Sequence, residues 1–131
     1  MYRIFFCACL WIGIFSLNAT AQNVNCKKFR NGTFKMDYNG KKGIVKRNGD
    51  VQEEFLNGSG TPTFSFKVKW LNDCTYTLDP TATTRKDHPD IPKDATMTVH
   101  ITKTTANSYS YTARYAFDKK NVYESELILI K

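Results

Sequence analysis

The sequence predicts an all-β domain, an antiparallel up-and-down meander of about eight strands that closes into a barrel, with a two-sheet β-sandwich as the alternative. Three observations carry this prediction. Apolar and polar side chains alternate over long stretches, which puts one parity on a buried face and the other in water. Turn-forming residues separate those stretches at short intervals. No stretch sustains the 3.6-residue apolar spacing of an amphipathic helix. Strands joined by short connections pair with their neighbours, and closing the sheet removes its exposed edges.

The expected strands cover about 33–38, 42–47, 50–56, 63–71, 74–79, 95–103, 107–117 and 122–130. Phe34, Met36 and Tyr38 set the inner parity of the first. Asn48-Gly49 predicts a two-residue type I′ hairpin between the second and third. That turn sets Arg47 opposite Asp50, Lys46 opposite Val51 and Ile44 opposite Glu53, with Ile44, Val51 and Phe55 on the inner wall. In the fourth, Phe64, Phe66, Val68 and Trp70 alternate with Ser65, Lys67 and Lys69. A two-residue loop at Asn72-Asp73 would turn Cys74, Tyr76 and Leu78 onto the lysine face. A three-residue loop, Leu71 to Asp73, avoids this and pairs Trp70 with Cys74, Val68 with Tyr76 and Phe66 with Leu78.

Asp79 to Asp94 reads as a long loop with three prolines, either a lid over a barrel mouth or a mobile insertion. Met97, Val99 and Ile101 then alternate with threonines, and Tyr109, Tyr111, Ala113, Tyr115 and Phe117 alternate with Ser108, Ser110, Thr112 and Arg114. Parity allows Ile101 opposite Tyr109, Tyr111 opposite Leu129, Ala113 opposite Leu127 and Tyr115 opposite Ser125. The outward positions are mostly threonine, serine and lysine, whereas a membrane-embedded barrel needs a continuous apolar outer band. Ile128 and Ile130 are outward exceptions, beside Glu124 and Glu126.

Met1 to Ala21 has the parts of a cleaved secretory signal: Arg3, an apolar run from Ile4 to Leu17, and Ala19-Thr20-Ala21 before Gln22. The run of about 14 apolar residues is shorter than the ~20 that span a bilayer. The expected location is therefore secreted or periplasmic, with one domain at 22–131. Lysine and arginine total 19 against 12 acidic residues, a net charge of +7. Cys7 and Cys9 leave with the leader, and Cys26 and Cys74 remain. In an oxidising compartment they read as one disulfide, with free buried thiols as the alternative.

Cys26-Lys27-Lys28-Phe29-Arg30-Asn31-Gly32-Thr33-Phe34 and the stretch from Lys69 through Trp70, Asp73, Cys74 and Tyr76 to Leu78 resemble a family of small exported Bacteroidetes proteins, some of which carry the label DNA topoisomerase IV. A small exported β domain has no room for the gate and metal-binding domain of a type II topoisomerase. Gly32-Thr33-Phe34 is also similar to the Gly-x-Trp signature that closes the barrel floor in lipocalins, with phenylalanine in place of tryptophan. That resemblance implies a lipocalin-like barrel with a partner arginine. Arg114 is nearest in order, but alternation turns it outward.

No catalytic constellation emerges, and the expectation is a non-enzyme without metal or cofactor. His100 lies among threonines on a polar face, and His88 sits in Lys86-Asp87-His88-Pro89-Asp90. Gly58-Ser59-Gly60 lacks the strand-to-helix setting of a nucleophile elbow. Glu53 and Glu54 face opposite sides and cannot flank one bond. Two functional readings remain. In the first, inward Tyr38, Phe66, Trp70, Tyr76, Tyr109, Tyr111 and Tyr115 surround a small apolar or amphiphilic ligand. With about 110 residues after the leader, a filled interior is the simpler expectation. In the second, a basic outer surface of Lys41, Lys42, Lys46 and Arg47 meets an anionic envelope component. Neither reading involves nucleic acid, and the expected state is a monomer that does not span the membrane.

Overall fold

Eight antiparallel strands close into one barrel in sequence order, as the alternation predicts. The structure, a computed structural model, describes residues 24–38 and 40–131. The expected leader, with Cys7 and Cys9, and the side chain of Tyr38 lie outside the described residues. The strands are β1 (Gly32–Tyr38), β2 (Lys41–Asn48), β3 (Val51–Leu56), β4 (Phe64–Trp70), β5 (Thr75–Pro80), β6 (Met97–Thr104), β7 (Ser108–Tyr115) and β8 (Asp118–Leu129). Closure is made by β1 against β8, where Phe34 pairs with Leu129 and Met36 with Leu127. The sandwich alternative is thereby excluded.

The register of the first hairpin differs from the expected one. Asn48 pairs with Val51, so the two turn residues are Gly49 and Asp50, and Ile44 stands opposite Phe55. Gly49 takes the positive φ of +61°, and its N–H donates to Asn31 Oδ1 at 2.8 Å. The inner wall is also the opposite one. Phe34 is fully buried and pairs with Val45, and paired residues share a face. Gly43, Val45, Arg47 and Gln52 are therefore buried, while Val51 is 43% exposed.

The other corrections concern register and leave the faces unchanged. Trp70 pairs with Tyr76, Val68 with Leu78 and Phe66 with Pro80, because the connection runs through Leu71–Thr75 and closes with Leu71 N–H on the Thr75 carbonyl at 2.9 Å. Ile101 pairs with Tyr111, and an irregularity between Ile101 and Lys103 absorbs the shift. Tyr109 meets Leu127, Tyr111 meets Ser125, and Ala113 meets Tyr123.

Residues 79–94 are not one irregular loop. β5 continues to Pro80, and a short helix α1 (Ala82–Asp87) follows. Thr81 caps α1 by accepting from the Thr84 N–H at 3.2 Å. Ser65 holds it to β4 through Thr81 (2.6 Å) and Thr84 (3.1 Å). Six residues are too few to display a helical period, so the sequence gives this helix no signature.

The opposite end of the barrel is closed. A 3-10 turn, Cys26–Phe29, crosses it and buries Phe29 completely, with its ring 5.3 Å from that of Tyr109. The disulfide joins Cys26 to Cys74 in the β4–β5 connection, so the free-thiol alternative falls. Asn25 N–H donates to Thr104 Oγ1 at 3.1 Å, and Lys28 Nζ to the Ala106 carbonyl. Three strand connections and the 3-10 turn thus share this floor.

Candidate ligand cavity

The floor is organised by Arg47, the largest of the fully buried side chains. Its Nε donates to Gln52 Oε1 (2.9 Å), and Nη1 donates to the Phe29 carbonyl (2.7 Å). Nη2 donates to both the Tyr76 and Tyr109 hydroxyls, at 3.0 and 2.8 Å. Those hydroxyls are themselves 3.0 Å apart. The guanidinium also lies over the rings of Tyr76 and Phe34, at 4.6 and 5.2 Å from their centroids. Burial works against its charge, but Tyr76, Tyr109 and Glu54 outweigh that and raise its pKa. The arginine seated on Phe34 therefore comes from β2, and Arg114 is exposed.

Above this floor the barrel is hollow. A cavity of about 490 Å³ is lined by Met36, Leu56, Phe66, Leu78, Met97 and Val99 among other apolar side chains. At the far end lie Ile91 and Pro92 from the β5–β6 connection, together with Phe117 and Tyr123, which are 46% and 37% exposed. The filled interior expected for so short a chain is thus realised only in the lower part. The wall of β2 and β3 that faces the cavity is the inverted one. Ile44, Val51 and Phe55 are absent from the cavity lining, and Val45, Gln52, Glu54 and Leu56 take their place.

The polar groups in this cavity are few and connected. Gln52 Nε2 donates to Glu54 Oε1 at 3.1 Å, so Gln52 bridges the Arg47 guanidinium and the Glu54 carboxylate. Burial raises the pKa of Glu54, although the Gln52 hydrogen bond and the Arg47 charge pull it down. Burial also pushes the Tyr111 phenol up to about 12, with its hydrogen bond to Ser125 acting the other way. Tyr76 is raised well above the ordinary phenol range, again chiefly by burial.

Of the inward residues expected to contact a ligand, Phe66, Tyr76, Tyr111 and Tyr115 line the cavity. Tyr109 does not, because it is fully buried in the floor. Trp70 also misses it. Its ring packs 4.6 Å from Tyr76 and beneath the Arg30 guanidinium, 4.9 Å away. Tyr38 lies on β1, and its side chain is outside the described residues.

The basic surface needs one correction. Lys41, Lys42 and Lys46 are exposed, but Arg47 is 2% exposed and holds the floor together. Alternation already separates it from Lys46, whose Nζ lies over the Phe55 ring on the outer wall. Both histidines have structural partners. His88 Nε2 is 3.0 Å from the Thr63 carbonyl with its ring against Phe64, and His100 Nδ1 is 2.9 Å from Thr75 Oγ1. Among the described residues, no three histidine, cysteine, aspartate or glutamate side chains gather to hold a metal ion.

Sequence reasoning missed Arg47, Gln52 and Glu54 as interior residues. The signal was available, since a two-residue turn between Tyr38 and Lys41 pairs inward Phe34 with an odd-numbered residue of β2. Comparison with protein-family models, with curated proteins and with solved structures gives no match.

Proposed function

We propose that this protein is an exported, non-enzymatic barrel that binds one small apolar or amphiphilic molecule in its cavity. One observation carries the reading: an open, mostly apolar space of about 490 Å³ above a sealed floor, with a few connected polar groups inside it. Ligand sites have this character, and their volumes fall in the range of roughly 300–1,000 Å³. The Cys26–Cys74 disulfide fits an oxidising compartment, in keeping with the leader-like start of the sequence. Among the described residues no helix is long and apolar enough to cross a membrane. With Arg47 withdrawn from the surface, no observation favours the basic-surface reading over the cavity.

Native mass spectrometry and thermal shift against straight-chain alcohols and envelope lipids test this reading. A one-to-one adduct is expected, with a stabilisation of about 2.7 kcal/mol at a hundredfold excess over Kd. The variant Ala113→Phe, which places a ring in the cavity, should lose the adduct. Absence of both adduct and shift across the series overturns the reading.

A further inference from the structure

Three charged side chains line the cavity, and they are not equivalent. Lys41 and Glu124 are solvent-exposed, whereas Glu54 is half-buried. Glu54 is the next inward position after Gln52 along β3, so its carboxylate sits directly above the floor network. Arg47 contributes no surface to the cavity, because its donors are engaged by Gln52, Phe29, Tyr76 and Tyr109. A ligand entering head-first therefore meets a carboxylate and not the guanidinium behind it.

An ionised carboxylate only accepts hydrogen bonds, and its two oxygens offer about four sites. Gln52 supplies one donor, to Oε1, which leaves the half-buried carboxylate with acceptor capacity for a donor that enters the cavity. A carboxylate or phosphate head would instead bring a like charge into a weakly screened space.

Resting on the cavity reading above, we propose that the preferred ligand is an amphiphile with a cationic, hydrogen-bond-donating head, such as a primary alkylammonium, seated on Glu54 with its chain along Met36, Leu56 and Met97. The head donates to the carboxylate and neutralises it. The chain covers apolar wall that is otherwise in contact with water. Partial burial of Glu54 strengthens the pairing, since a partner cation matters more where solvent is reduced.

Calorimetry with decylamine, decanol and decanoate at neutral pH reads this directly, since the three share one chain and differ in the head. Decylamine should bind about tenfold or more tightly than decanoate, and Glu54→Gln should reduce that ratio to roughly threefold or less. If decanoate binds as tightly as decylamine, or Glu54→Gln leaves the ratio unchanged, the head assignment is overturned while the cavity reading stands. If none of the three binds, the cavity reading itself fails, and this inference with it. A wild-type pH series removes any dependence on how the variant folds. Decylamine affinity should fall on acidification through the titration of Glu54 while decanol stays level, and a level decylamine series overturns the assignment.

Discussion

The guanidinium of Arg47 donates to the main-chain carbonyl of Phe29 at 2.7 Å, which fastens β2 to the 3-10 turn that closes the barrel. The same side chain holds the hydroxyls of Tyr76 and Tyr109, from β5 and β7. One residue thus ties the plug to three strands. Its charge is tolerated because four of its five N–H groups are hydrogen-bonded and aromatic faces flank it.

Replacing Arg47 tests that role. Arg47→Ala leaves a cavity, two phenols without their shared donor and an unpaired Phe29 carbonyl. The expected loss is about 3–5 kcal/mol in denaturant unfolding. Arg47→Lys keeps the charge but cannot reproduce the fork, so it should fall between wild type and alanine. A loss below about 1 kcal/mol for the alanine variant would show that the floor is held by other contacts.

The disulfide should contribute comparably. Its half-cystines are 48 positions apart, and closing a loop of that length stabilises by about 4 kcal/mol on the chain-entropy model. Cys26→Ser with Cys74→Ser should lower the unfolding midpoint accordingly. Hydrogen exchange should rise first around residues 26–29, where the turn loses its covalent anchor. Unchanged exchange there contradicts the assignment of the turn as a plug.

Glu54 gives stability a pH dependence with a definite sign. Its folded pKa lies above the ordinary 4.5, so in the window between those values the folded state binds more protons than the unfolded one. Its contribution is therefore favourable at low pH and is lost as pH rises through the folded pKa. Glu54→Gln has no such titration. The variant should gain stability relative to wild type as pH rises from about 4 through the folded pKa, and level off above it. A difference that is constant with pH would show that burial does not raise the Glu54 pKa.

The phenols supply an alkaline counterpart. Absorbance titration should show Tyr111 ionising near 12 and Tyr76 well above the ordinary phenol range. Because the unfolded phenols titrate near 10, stability should decline as pH rises through 10–12. Single ordinary titration of all tyrosines in the folded protein would contradict the burial described here.

Much of the fold was legible because strand alternation is a local property. Phe64, Phe66, Val68 and Trp70 declare a face without reference to any other strand, and six of the seven connections are short enough to impose antiparallel order. Register was less legible, since the offset at Leu71–Thr75 and the irregularity after Ile101 preserve parity while sliding the pairs. The site was least legible. Hydrophobicity assigns Ile44, Val51 and Phe55 to the core, whereas the structure buries Arg47 and Gln52. A buried arginine looks like any surface cation until Phe29, Tyr76 and Tyr109 are brought around it by contacts distant in sequence. The same inversion puts Gln52, Glu54 and Leu56 on the cavity wall.

The most direct test of a ligand-accepting interior uses the two methionines in the described residues, Met36 and Met97, both of which line the cavity. In a methyl-labelled methionine NMR titration with decylamine, both methyl resonances should shift together and show cross-relaxation to the alkyl chain. Two resonances that stay in place with no contacts to the chain at saturating decylamine would contradict the account.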